Sequence, residues 1–234
     1  MKTVFIKLYY GLFMITMAFR LFNIKLLRLM GRKEASEKYK RKAALYWSRK
    51  TLDIIGIDYE VYGKENIPDR GCLYVSNHQS MLDIPLIMDA VGSPLGFIAK
   101  KELAKVPIIN SWTKEINCIY LDRDNAREAV KTINEGVEKL KKGISMVIFP
   151  EGTRAKDGVM KEFKKGSLKL ATRSGAPVVP VTISGTNKAY EEAKTVKHVK
   201  VKIYFGQPIY MEDLDKSQLS NLAKILQEQV ESNL

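Results

Sequence analysis

Two short stretches of this 234-residue chain concentrate side chains able to move protons and hold anions. The first reads Asn77, His78, Gln79, Ser80, Met81, Leu82, Asp83 and follows an apolar run at 72–76. An imidazole titrates near neutrality, so His78 at a strand-to-helix junction suits general-base work, and a carboxylate at Asp83 can fix its tautomer. On an ideal helix residues five apart do not touch, so the pair requires His78 to stand outside the helix that Asp83 opens. Read alone, the same residues also describe a polar capping loop.

The second stretch reads Phe149, Pro150, Glu151, Gly152, Thr153, Arg154 at the end of another apolar run. Gly152 lets a ligand approach the main chain, and the guanidinium of Arg154 can grip a phosphate with two parallel hydrogen bonds. Glu151 would repel phosphate but could accept from a polyol hydroxyl. A turn closed by a salt bridge is the plainer reading of the hexapeptide. A third cluster, Tyr120, Leu121, Asp122, Arg123 with Lys100, Lys101 and Lys105 upstream, offers further cations for a phosphate or a lipid headgroup, although each alone reads as solvated surface charge. His198, at the start of a late strand, reads as a surface residue.

Several chemistries lack support. No phosphate-loop, dinucleotide, elbow-serine or zincin pattern occurs. With only His78 and His198, no multi-histidine metal site can form, and Cys72 and Cys118 stand apart in apolar runs, which argues for reduced, buried thiols and against a disulfide framework or zinc ribbon.

These loops need a scaffold, and the pattern supplies one. Alternating apolar residues Ile57, Tyr59 and Val61 mark a strand, and further strands are expected at 72–76, 96–99, 118–121, 144–149, 177–183 and 199–205. Helices are expected at 82–90, 125–142 and 163–173, with Asp124 as a cap for the second of these, and a last amphipathic helix carries Leu219, Leu222, Leu226 and Val230. Residues 101–106 read as a helical turn stopped by Pro107. Strands alternating with helices imply an α/β fold with a mixed, mostly parallel sheet flanked by helices. In such sheets the loops leaving the strand ends hold ligands.

The N-terminus is different. The formal net charge is +13, and residues 1–50 hold 13 Lys and Arg against only Glu34 and Glu37. Phe5, Leu8, Leu12, Ile15, Phe19, Phe22, Leu26 and Leu29 recur at spacings of three and four, which draws one apolar helical stripe. The longest uncharged run, 8–19, is 12 residues, short of the roughly 20 that cross a bilayer. Residues 32–50 add eight basic residues with Tyr39, Tyr46 and Trp47 among them, a mixture suited to the headgroup layer. The reading is a two-helix membrane-surface anchor over 1–55 joined to an α/β domain over 56–234. A cleaved signal peptide is opposed by the missing small-residue cleavage site; an ordinary core helix is the other alternative. Nucleic acid is a poor fit, because no recognition-helix, zinc-finger or RNA-binding-sheet signature accompanies the charge.

In order along the chain, His78 with Asp83, Tyr120 to Arg123, Phe149 to Arg154, and Val179, Pro180, Val181 resemble the four sequence blocks of the glycerolipid acyltransferase family, most closely its bacterial 1-acylglycerol-3-phosphate acyltransferases. The resemblance covers roughly 57–210. Two positions depart from the usual pattern. Asn117 stands where the family often has glycine, although asparagine tolerates left-handed backbone, and Ala155 replaces a serine that often follows the third block. The resemblance implies an enzyme that moves a fatty acyl group from a thioester, acyl-CoA or acyl carrier protein, to the sn-2 hydroxyl of lysophosphatidic acid, giving phosphatidic acid. It implies His78 and Asp83 as the catalytic pair, with no metal, cofactor or covalent intermediate. Glu151, Gly152, Thr153 and Arg154 would bind the acceptor, with Lys100 and Arg123 next in line for its phosphate. Cys72 is not expected to be a nucleophile. The basic N-terminus is similar to the membrane anchor of bacterial members, implying an anionic membrane surface as partner, at the cytoplasmic face of the cell membrane. Acylation of a different lysophospholipid or an acylated amino-lipid, and a non-catalytic membrane-binding protein, are the alternatives.

Overall fold

The computed structural model describes residues 2–122 and 125–234. Two antiparallel-running N-terminal helices, α1 (Lys2–Leu29) and α2 (Lys33–Ile55), are joined by a tight turn at Gly31, whose φ of 73° suits glycine. Seven strands follow, β1 (Ile57–Tyr62), β2 (Leu73–Ser76), β3 (Gly96–Lys100), β4 (Ile119–Leu121), β5 (Met146–Ile148), β6 (Val178–Ser184) and β7 (Val199–Phe205). They form one sheet in the order β1-β7-β6-β2-β5-β3-β4, in which only β6 and β7 run antiparallel. The expected mixed, mostly parallel sheet is therefore the one observed.

Period-two alternation sends successive side chains to opposite faces. Cys72 and Tyr74 of the β2 run, Val147 of β5 and Val179, Val181 and Ile183 of β6 pack against α2 and α3 (Asp83–Val91). Leu73, Val75, Met146, Ile148 and Val178 pack on the other side against α5 (Ala126–Lys141), α6 (Lys169–Ser174) and α8 (Leu222–Glu231). Three layers result. Because Ala44 and Leu52 belong to the first of these cores, α2 is part of the α/β body as well as partner to α1.

Some elements differ from the sequence expectation. Pro107 opens a helix, α4 (Pro107–Glu115), since a proline at N1 loses no hydrogen bond and its fixed φ favours helix. The stretch expected to be a helix over 163–173 is a 3-10 turn, Lys165–Leu168, followed by α6. The C-terminal helix is split at Asn221 into α7 (Lys216–Ser220) and α8, with a capping box at Asp215 and Gln218. Asp124 lies outside the described residues; the cap of α5 is Asn125, whose side chain accepts from the amides of Arg127 and Glu128 at 3.1 and 3.2 Å. Asn117 does adopt a positive φ, 61°.

The helix α1 is long and apolar enough, by length and composition, to cross a membrane. It nevertheless lies along the body. Phe13, Met17, Leu21 and Ile24 are buried, whereas the eight stripe residues from Phe5 to Leu29 are between 42% and 85% exposed. Contacts hold it at both ends and in the middle: the Val196 amide donates to Thr3 Oγ1 at 3.2 Å, the Trp112 indole N–H to the Met17 carbonyl at 3.2 Å, and Arg28 to both carboxylate oxygens of Glu115 at 2.8 and 2.6 Å.

Candidate active site

Parallel neighbours present their carboxyl ends on one edge, so β2, β5 and β6 deliver the loops 77–82, 149–164 and 185–191 to the same place. The first loop is pinned by Asn77, whose carboxamide both donates to the carbonyl and accepts from the amide of Ile183, each at 2.8 Å. Helix α3 begins only at Asp83, so His78 is non-helical, as contact between the two requires. The Nδ1 of His78 lies 2.8 Å from Asp83 Oδ2. That oxygen also accepts from the amides of Gln79 and Ser80 at 2.7 and 2.9 Å, while Oδ1 accepts from the Thr186 hydroxyl at 2.5 Å. A fully buried carboxylate surrounded by donors can only accept. Nδ1 is therefore the protonated nitrogen, and Nε2 keeps a lone pair for an incoming proton. The imidazole stacks on Phe149, centroids 3.9 Å apart and planes 16° from parallel, which fixes the second rotational freedom of the ring.

Glu151 is buried, and its oxygens are both taken by main chain: the His78 amide donates to Oε1 at 2.6 Å and the Lys161 amide to Oε2 at 2.9 Å. Its carboxylate thus fastens three backbone segments together, and burial pushes its pKa up, opposed by those two amides. The Ala155 amide donates to the His78 carbonyl at 2.7 Å, which closes the contact between the two loops. Gly152 has φ 71°, and a Cβ there would come within 3.1 Å of Lys164 Nζ. The exposed Thr153 accepts from Lys161 Nζ at 3.2 Å. Arg154 donates from Nη1 to Glu191 Oε1 at 3.2 Å. His78, Asp83 and residues 151–154 are thereby gathered at one site.

Lys100 is not joined to that cluster by a hydrogen bond. It ends β3, two strands from β2, and pairs with Glu102 at 2.8 Å on the surface. Arg123 lies outside the described residues. Cys72 is buried with its thiol pKa raised by burial, away from the thiolate that nucleophilic attack needs. His198 is exposed and pairs with Asp58 at 2.9 Å. Among the described residues no group of three or more His, Cys, Asp and Glu side chains could hold a metal ion. The sequence reading missed Thr186, Glu191 and Lys161. The first two leave the carboxyl end of β6, where the strand-end rule for α/β sheets directs attention; Lys161 carries no such signal.

An imidazole with a free Nε2, a buried carboxylate behind it and cations beside a glycine turn can supply a general base and bind an anion next to it. The Acyltransferase family model matches residues 58–184, which contain most of this arrangement. The chain belongs to the acyltransferase family. It is 38% identical over 155 residues to a chloroplastic 1-acyl-sn-glycerol-3-phosphate acyltransferase of Brassica napus, a match that covers 64% of this chain and 45% of that protein. A probable 1-acyl-sn-glycerol-3-phosphate acyltransferase of Mycoplasma genitalium is 32% identical, over 73% of this chain and 69% of its own length. The chain thus spans less than half the length of the plant relative and about two thirds of the mycoplasmal one. The crystal structure of the 1-acyl-sn-glycerophosphate acyltransferase PlsC from Thermotoga maritima superposes with a TM-score of 0.87 at 34% identity, covering 99% of this chain and 92% of that one. The likeness to that acyltransferase therefore includes α1 and α2 as well as the sheet.

Proposed function

We propose that this acyltransferase moves a fatty acyl group from an acyl thioester, acyl-CoA or acyl carrier protein, to the sn-2 hydroxyl of 1-acylglycerol 3-phosphate, giving phosphatidic acid for phospholipid synthesis. The observation that carries the reading is the contact of His78 Nδ1 with the four-donor carboxylate of Asp83, which leaves Nε2 as a base. Nε2 takes the sn-2 proton as that oxygen attacks the thioester carbonyl carbon. The tetrahedral adduct collapses, the C–S bond breaks, and the departing sulfur takes the proton from Nε2. A thioester is already activated, so a base, alignment and charge stabilisation suffice. His78 and Asp83 are the catalytic pair in this scheme. Gly152, Thr153 and Arg154 hold the acceptor's phosphate, with Lys161 and Lys164 around them and Lys100 as an outlying cation, while Glu151 sets the loop geometry; Arg123 remains the other candidate cation for that phosphate. The relatives' printed names, all 1-acylglycerol-phosphate acyltransferases, support this acceptor.

In this reading residues 1–55 serve as the membrane anchor, with α2 also packed into the body through Ala44 and Leu52, and 56–234 as the catalytic domain, lying monotopically on the cytoplasmic face of the cell membrane. The stripe from Phe5 to Leu29 faces away from α2 and carries no charge, whereas the body contacts at Thr3, Met17 and Arg28 oppose a bilayer-crossing pose. An amphipathic helix lying in the interface plane, with basic residues beside it, meets anionic lipid in this way. The test is turnover of lysophosphatidic acid with acyl donor by the wild type and by His78→Ala. Loss of a general base should cost about 10²–10⁴-fold with folding intact; retained turnover refutes the mechanism.

A further inference from the structure

We propose that Glu191 is the positioning residue that holds Arg154 ready for the acceptor's phosphate and sets its distance from the general base. The inference deepens the function proposed above and rests on it. Glu191 lies seven residues beyond the last position matched by the family model. Its side chain is 3% exposed. Oε1 accepts from Arg154 Nη1 at 3.2 Å and from the Met81 amide at 3.1 Å, and Oε2 accepts from the Ser80 hydroxyl at 2.7 Å. One carboxylate therefore ties the cation of the 149–154 loop to Ser80 and Met81, two and three residues after His78 in the 77–82 loop.

Charge decides why the pairing is there. A carboxylate this deeply buried is costly without a cationic partner, and no other cationic side chain pairs with it among the described residues. The guanidinium has five N–H donors in a rigid fork. Glu191 occupies one of them, and Arg154 makes no other hydrogen bond among the described residues, so the rest of the fork remains for a ligand. An arginine without this tether would have to be immobilised by the phosphate itself, and ordering such a side chain sets a scale of about two- to tenfold in affinity. Lysophosphatidic acid presents its phosphate and its sn-2 hydroxyl a fixed few bonds apart, so a link between the cation and the base loop aligns both ends of the acceptor together.

The test compares the wild type, Glu191→Gln, Arg154→Ala and the double variant. Glutamine can still accept from the Met81 amide and donate to the Ser80 hydroxyl, so it removes mainly the ion pair. For Glu191→Gln the KM for lysophosphatidic acid should rise about two- to tenfold, several times more than kcat falls. In the Arg154→Ala background the same change should leave KM where Arg154→Ala put it. Multiplying effects in the double variant, or a fall in Tm and kcat with KM unmoved, would overturn the proposal and leave Glu191 a fastener of the fold. Calorimetric binding of glycerol 3-phosphate to the same four proteins separates the two claims. If the wild type binds it but does not acylate lysophosphatidic acid, the proposed reaction fails, and the binding pattern alone decides the role of Glu191. If the wild type neither binds nor turns over, both fail.

Discussion

Replacing Glu151 by glutamine separates two roles that the sequence cannot tell apart. A carboxylate in a substrate loop can accept from a bound hydroxyl, or it can hold the loop together. Both oxygens of Glu151 are already engaged by main-chain amides, of His78 at 2.6 Å and of Lys161 at 2.9 Å. Glutamine keeps one acceptor and turns the other position into a donor facing an N–H. The change removes one charge-assisted hydrogen bond, worth about 1.5–3 kcal/mol, and leaves an amide unpaired in a part-buried site. Some of this is offset, because burial makes the wild-type carboxylate costly and raises its pKa. A net loss of about 2 kcal/mol should lower Tm by about 4–8 °C for a domain of this size.

Activity should fall with stability, since the displaced amide belongs to His78, the proposed base, and misplacement by about 1 Å can cost 10²-fold. Thermal unfolding followed by circular dichroism, beside kcat and KM below the transition, checks both. Unchanged Tm with a raised KM for lysophosphatidic acid would refute the fastening role and restore Glu151 as a ligand to the acceptor. The pH dependence has a definite sign. A carboxyl whose pKa is raised by folding contributes stability that is fully present below its ordinary value of 4.5 and is lost as pH rises through the raised one. The Tm deficit of Glu151→Gln should therefore be larger at pH 4.5 than at pH 8.

Thr186→Val should lower kcat by about tenfold by removing the 2.5 Å hydrogen bond to Asp83 Oδ1, while Thr186→Ser restores most of it; equal kcat for Val and Thr would show that the other three donors suffice. The pair Leu12→Asp and Phe19→Asp, both on the exposed face of α1, should abolish cosedimentation with anionic vesicles and leave the far-ultraviolet spectrum intact. Undiminished cosedimentation would move the membrane contact elsewhere. Cys72→Ala should keep kcat within a few-fold at some cost in stability, because the thiol is buried and its pKa raised; loss of turnover in folded protein would reopen covalent catalysis.

What the sequence could and could not reveal divides by the range of the interaction. Period and spacing are local, so the apolar stripe of α1, the alternation in β1 and the break between His78 and Asp83 could all be read directly. Pro107 misled because the same residue that stops one helix starts another, and the choice depends on whether the segment after it has a face to bury; here α4 sets Trp112 against Met17. The direction of a side chain within a loop is not local at all. Glu151 sits among exposed-looking polar residues of its hexapeptide, and only the approach of two distant amides, of His78 and of Lys161 ten residues on, turns its carboxylate inward. Thr186 and Glu191 lie more than a hundred residues from the loop they support and show no pattern of their own. They become legible once β6 is known to be the parallel neighbour of β2, because its carboxyl end must then deliver residues to the loop of His78 and Asp83. For this fold the order of the strands is therefore itself a functional statement: it decides which distant polar side chains can serve as second partners to the acid and the arginine that the motifs reveal.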